Sequence, residues 1–413
     1  MKRSAAVAHL AVAALAAAAC GGEPGRAAGG WAGTIDTLPG GAVRVHSPAT
    51  GTWKPGEEWK LVEELRIGSA EAEGPELFGD VAALEVDRAG RIYVLEPQAK
   101  EIRVFDARGA HVRTFGRKGG GPGEFEQPAG LMWDPDGRLW VVDQQNARFS
   151  VFDTAGTFFT SHHRRGGYSL YPWPGGIDAR GRLYDIARFD TGRGEPSYGL
   201  LRMDARMQPA DTFLLPDRDG SVFEIRHDNG NRMSASVPFS PRLVWRRDHG
   251  GDVWVGTSDR YSIARVSFGG DTLRVVERDF EPVPVTAAER DTALGRLKWF
   301  TDQGGKVDAS RIPGEKPAFV GVYPDEAGYL WVFPSSPQAA EGTTLDVFDP
   351  EGRYLGQVRS GAELSAFLPF LVRGDRLYVV ETDELEVPYV VRYRIAGRPA
   401  AGARPSSDRT ATR

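Results

Sequence analysis

Two stretches gather residue types that bind anions. Arg117 and Lys118 form one basic pair, and His162, His163, Arg164 and Arg165 form a second, followed by Tyr168, Tyr171 and Trp173. Cations interleaved with aromatics can hold a carboxylate, a sulfated sugar or an acidic peptide through charge-assisted hydrogen bonds and stacking. The competing use is a solvated rim whose arginines pair with local acids such as Asp190 and Glu195. Other chemistries are poorly supplied. The run Gly119 Gly120 Gly121 Pro122 Gly123 lacks the Gly-Lys-Ser/Thr ending of a phosphate loop and is followed by a strand pattern, so it reads as a connecting turn. Apart from His9 the histidines are His46, His111, His162, His163, His227 and His249, none paired at a metal-ligand spacing, and no Gly-x-Ser-x-Gly elbow occurs. No catalytic residue, metal site or cofactor is therefore assigned. With 51 Lys and Arg against 56 Asp and Glu, the net charge of -5 disfavours a nucleic-acid partner.

The one cysteine, Cys20, has a different use. Lys2 and Arg3 precede an apolar run from Ala5 to Ala19, and Ala17, Ala18 and Ala19 lead directly into Cys20. This arrangement resembles a bacterial lipoprotein signal, which implies cleavage before Cys20 and acylation of its sulfur. The run falls short of the roughly 20 residues that cross a bilayer, and His9 interrupts it. The implied partner is a membrane, reached through lipidated Cys20. Gly21, where similar inner-membrane lipoproteins carry Asp, implies the outer membrane in a host that has one. The Gly, Ala and Pro-rich stretch that follows reads as a flexible tether.

The elements that must position the basic residues come from an internal repeat. Gly, any residue, an aliphatic, Tyr or Trp, and usually Val occur as Gly90 to Val94, Gly137 to Val141, Gly181 to Asp185, Gly251 to Val255 and Gly328 to Val332. In a sixth copy, Asp375 to Val379, Asp375 takes the glycine's place. Each copy follows an apolar stretch and an acidic turn. A third strand then ends in Val104 Phe105 Asp106, Val151 Phe152 Asp153 or Val347 Phe348 Asp349, with a glycine three residues on. Strand, tight turn, strand and a second hairpin, six times over, predict an all-β six-bladed β-propeller of four-stranded antiparallel blades. The orphan strand Trp59 to Ile67 would complete the last blade beside Val390 to Ile395. The run from Gly116 to Asp153, with Asp143, Asn146 and Arg148 inside it, resembles NHL-type six-bladed propellers, and the whole chain looks most like bacterial lipoproteins that carry such a propeller. Asp143, Asn146 and Arg148 are expected to bond the loop within the blade. Propeller lyases and lactonases place metal-binding groups at the inner-strand entrances. Of those entrances here, only Gly79 Asp80 offers a strong cation ligand.

The intervals from Gly181 to Gly251 and from Gly251 to Gly328 are about 25 to 30 residues longer than the others. The extra residues fall between blades, at Asp217 to Ser240 (a hairpin with an Asn-Gly turn) and Glu281 to Pro317 (a helix opened by a Thr286–Glu289 capping box and running to about Gln303). Both emerge on one face, which is where binding is expected. The organisation read from the chain is a signal peptide at 1–19, a tether at 20–56, a propeller at 57–397 and a disordered tail at 398–413. The expected activity is that of a monomeric, membrane-anchored, extracytoplasmic binding or scaffold protein, periplasmic or on the surface, with a protein, peptide or glycan ligand on the insertion-bearing face. A propeller enzyme with a channel-mouth site and a structural subunit of an envelope assembly are the alternatives.

Overall fold

One aspartate organises the inner hairpin in five of the six blades. In the first, Asp87 Oδ1 accepts from the backbone N–H groups of Ala89 and Arg91, both at 2.9 Å, and Gly90 takes the φ of 80° that closes the turn. The other oxygen of the equivalent carboxylates receives the polar tip of the repeated aromatic. Trp140 Nε1 donates to Asp134 at 2.9 Å, the Tyr184 hydroxyl to Asp178 at 2.9 Å and Trp331 Nε1 to Asp325 at 3.0 Å. The turn and the aromatic are thus one unit. It keeps the aromatic body in the core and satisfies the group that would otherwise be buried without a partner.

The computed structural model describes residues 31–399 apart from 72, 166, 168, 171, 191, 193–196, 205, 217–220, 228–229 and 338–341. Six four-stranded antiparallel units stand around an axis, each with its first strand innermost. Those first strands are Ala83–Val86, Pro128–Trp133, Gly176–Ile177, Leu243–Arg247, Phe319–Pro324 and Phe370–Arg373. Neighbouring blades bury apolar clusters between them, and Ile92, Tyr93, Phe149, Phe319, Trp331 and Phe348 are among the side chains fully withdrawn from water. Strand Lys60–Ile67 pairs antiparallel with Pro388–Ala396 and completes blade six, so both ends of the ring share one sheet.

The insertions form one unit. Hairpin Val222–Arg226 with Arg232–Ser236 comes from the first, and helices Ala287–Gly295 and Lys298–Asp302 come from the second. Phe223, Ala235, Val237, Leu297, Phe300 and Ile312 make a shared core. The capping box is present, Glu289 N donating to Thr286 Oγ1 at 3.2 Å and Thr286 N to Glu289 Oε2 at 2.9 Å. The predicted single helix is broken at Arg296 and Leu297. Leu297 caps the second helix while its side chain enters the shared core.

Two boundaries differ from the sequence reading. The stretch read as tether from 20 to 56 is built into the ring from Trp31 onward. Thr34–Thr37 and Val43–Ser47 form a hairpin, and the second strand adds parallel to Thr272–Arg278 at the outer edge of blade four. Trp31 is buried with its Nε1 donating to Ser47 Oγ at 3.3 Å, and Ser47 Oγ accepts Tyr354 N at 3.1 Å. The chain then crosses blade five, where Trp53 N donates to Leu355 O at 2.9 Å. Gly51 is required there, because a Cβ would lie 2.2 Å from that same oxygen. Arg398, read as the first residue of the tail, is likewise part of the ring. Arg398 is buried against Asp325 at 2.8 Å, with its guanidinium over the Trp59 and Tyr329 rings. The signal segment, Cys20 and residues 400–413 lie outside the described residues.

Candidate functional site

The basic stretch on the insertion-bearing side does not assemble as one patch. Arg164 points inward: its Nε and Nη2 donate to the two oxygens of Asp185 at 2.7 and 2.8 Å, and Trp173 Nε1 donates to the same carboxylate at 2.8 Å. Asp185 is fully buried, and Arg164 and Trp173 are buried with it. The reason lies in the repeat, where Asp185 stands in blade three at the position that is Val in the other copies, and a buried carboxylate needs a cation and donors around it. Arg164 and Trp173 are therefore withdrawn from any ligand, with Asp185 as a partner of both; Glu195 lies outside the described residues. His162 stacks on Trp140 at 5.0 Å, and burial holds its pKa below the ordinary imidazole value. Arg117 is 79% exposed and pairs with Glu124 at 2.8 Å. Lys118, His163 and Arg165 stay exposed, while Tyr168 and Tyr171 lie outside the described residues.

The glycine run is a blade connection, as expected, and its polarity is opposite to that of a phosphate cradle. Its carbonyls point inward to Arg148, which donates to Gly120 O, Gly121 O and Glu124 O at 2.7 to 2.8 Å. Asp143 accepts from Gln127 N at 2.9 Å and from Asn146 Nδ2 at 2.7 Å, so these three side chains bond the loop within the blade. Among the described residues, no three His, Cys, Asp or Glu converge as a metal-binding group.

The structure brings a different set of cations to the axis. The innermost strand of blade four ends Trp245 Arg246 Arg247 and is preceded by Arg242, whereas its counterparts are mostly apolar. At the end formed by the tight turns, a cleft of about 140 Å³ is lined by Arg247, Asp248, His249, Tyr323, Glu326 and Arg373, among others. It is internally neutralised. Arg373 donates to Glu85 at 2.9 Å and also to Glu326, and burial nonetheless raises the Glu85 pKa above the usual carboxylate range. His249 Nδ1 lies 3.9 Å from Glu326.

At the insertion-bearing end the balance is different. Arg242 sits where the first insertion returns to the ring, five residues after Val237 and three after Phe239, both packed into the insertion core. Ser258, fully buried, fixes its backbone: Arg242 N donates to Ser258 Oγ at 3.0 Å, Ser258 N to Arg242 O at 3.0 Å and Ala318 N to Ser258 O at 2.7 Å. The guanidinium lies 4.6 Å from the centroid of the Phe367 ring, and its Nη2 has one long contact, 3.4 Å, to Val320 O. Burial lowers its pKa, and no acid among the described residues opposes that effect. Deeper on the same strand, Arg246 Nη2 donates to the Tyr323 hydroxyl at 2.8 Å, which donates to Ala366 O at 2.7 Å. The sequence signal for this group was the charge itself, Arg242, Arg246 and Arg247 within or beside an innermost strand.

Residues 73–273 match a family model described as a 6-bladed beta-propeller. The likeness is one of fold. The crystal structure of a Bacteroides fragilis protein named as exported has a TM-score of 0.52 at 13% identity, covering 85% of this chain and 99% of that one. Structures of virginiamycin B lyase from Staphylococcus aureus, one selenomethionine-substituted and one of a catalytically inactive form with quinupristin, have TM-scores of 0.42 and 0.43 at 10% and 11% identity. Each covers 82% of this chain and 100% of the lyase. No curated protein matches the chain. Among the described residues no helix is long and apolar enough to cross a membrane.

Proposed function

We propose that this propeller is an extracytoplasmic, lipid-anchored binding module whose protein, peptide or glycan partner docks on the insertion-bearing face, in the outer membrane of a host that has one. The observation that carries the binding face is the shared core of the two insertions. Segments from successive blade connections have folded onto each other around Phe300 and Phe223, while the opposite end of the ring consists of short Asp and Gly turns. A rigid scaffold with elaboration confined to one side is the usual way a fold acquires a binding surface. Trp299 stands half exposed on that elaboration.

The anchor rests on the N-terminal pattern that ends at Cys20. Acyl chains contribute about 0.8 kcal/mol per buried methylene, so a multiply acylated cysteine stays on a membrane. With Trp31 built into blade four, and a chain reaching at most about 3.5 Å per residue, the ring would stay within roughly 40 Å of the bilayer. Two measurements test the reading. Cys20→Ser is expected to move the protein from the membrane to the soluble fraction, and unchanged fractionation refutes the anchor. A photo-crosslinking residue at Trp299 is expected to give adducts in native membranes that one at Arg108, on the turn face, does not; adducts only from Arg108 refute the binding face.

A further inference from the structure

We infer that Arg242 and Phe367 form a subsite for the carboxylate of a ligand that has an apolar body. The inference rests on the insertion-bearing face being the binding face, and it names the ligand class that this face takes. Three observations meet here. First, Arg242 is a half-buried cation with no carboxylate in ion-pair range among the described residues, whereas Arg373, also near the axis, is held between two glutamates. A charge drawn from water without a counter-charge is stabilised by any anion that can reach it. Second, its backbone is fixed by the paired hydrogen bonds with Ser258, and one face of the guanidinium lies against Phe367. The planar fork is thus oriented before a ligand arrives, and its in-plane N–H groups suit the two oxygens of a carboxylate. Third, Phe367 is 58% exposed although it is a large apolar side chain beside a polar mouth, so it offers the body of the ligand a surface to cover.

The charge count favours carboxylate over a phosphate monoester or inorganic sulfate. One guanidinium neutralises one negative charge, whereas a phosphate monoester carries about -1.5 to -2 at neutral pH and would face the Val320 carbonyl with the excess. Arg246 does not supply the second cation directly, because its Nη2 is engaged by the Tyr323 hydroxyl, which is bonded in turn to Ala366 O.

The test is calorimetric titration of the full chain in detergent with 3-phenylpropionate, and with 3-phenylpropionamide as the uncharged isostere. Saturable binding of the acid is expected, with the amide weaker by about tenfold or more, since a charged hydrogen-bonded pair contributes at least that factor. Arg242→Met should weaken the acid about tenfold, and Phe367→Ala should weaken acid and amide together. Equal binding of acid and amide, an unchanged affinity in Arg242→Met, binding of sulfate as tight as that of the acid, or no heat from the acid at about 10 mM with folded protein each overturn the subsite. Failure here is separable from failure of the wider reading. Adducts from Trp299 without acid binding refute the subsite alone. Acid binding lost in Arg242→Met, without any adduct at Trp299, supports the subsite and refutes the macromolecular partner.

Discussion

Arg164 and Arg242 lie on the same side of the ring, and both are drawn out of water, yet their surroundings differ in kind. Arg164 meets Asp185 with two donors, at 2.7 and 2.8 Å, and a tryptophan N–H completes the carboxylate. Arg242 meets a carbonyl at 3.4 Å and the face of a phenyl ring. The first arginine is committed to the fold by a charge it must neutralise. The second is held in place by its backbone and leaves its charge available. Residue type was the same in both cases; pairing separates a structural cation from one that can serve a ligand.

The largest expected effect breaks the committed pair. Arg164→Ala leaves the fully buried Asp185 without its counter-charge and should cost about 3–5 kcal/mol in urea unfolding. A loss under about 1 kcal/mol would show that the buried carboxylate does not depend on Arg164, and the contrast with Arg242 would collapse.

Arg247 is an intermediate case: it lies over the Tyr184 ring at 4.8 Å and donates to Asp248 O at 2.7 Å and Ile177 O at 3.3 Å. Tyr184 gives a readout of this region by pH. Its hydroxyl, buried and donating to Asp178, is pushed up to about 12 from the ordinary 10. The unfolded chain therefore loses this proton first. The stabilisation is whole below about pH 10 and disappears as pH rises through about 12. Tyr93, next to Asp87, behaves in the same way at about 12. Tyr184→Phe should cost about 1–2 kcal/mol at pH 8 and flatten part of the loss between pH 10 and 12, measured by urea titration at each pH. An identical alkaline profile would mean that Tyr184 does not keep its proton.

The contrast between the arginines also shows what a sequence can disclose. The ring was legible because its signal is local and repeated: an aspartate, a glycine three residues on and an aromatic three beyond that, each enforcing the next through the turn. Blade closure by Lys60–Ile67 was legible for the same reason, as a strand left without a partner. The hairpin of Thr34–Thr37 and Val43–Ser47 was not, because its short strands sit among glycines and its stabilising contacts are to Thr272–Arg278 and Tyr354, far along the chain. The basic stretch was visible as composition, but the burial of Arg164 within it was not, since only folding brings Asp185 under that side chain. Arg242 carried the weakest signal. Its property is the lack of an acidic partner among the described residues, which no local pattern encodes.

The smallest predicted effect is the sharpest test of the comparison. Arg242→Ala removes a cation–π contact of about 0.5–1 kcal/mol and one long hydrogen bond, and it also removes the cost of holding a guanidinium partly out of water. Because no carboxylate is stranded by the substitution, these contributions should nearly cancel, and urea unfolding should change by less than about 1 kcal/mol in either direction. Phe367 would become more exposed, with no effect on the Ser258 hydrogen bonds, which involve only the Arg242 backbone. A loss above about 2 kcal/mol would place Arg242 beside Arg164 as a structural cation. A gain in stability, by contrast, would mean that the folded protein carries Arg242 at a cost, as expected of a charge kept for something that binds to it.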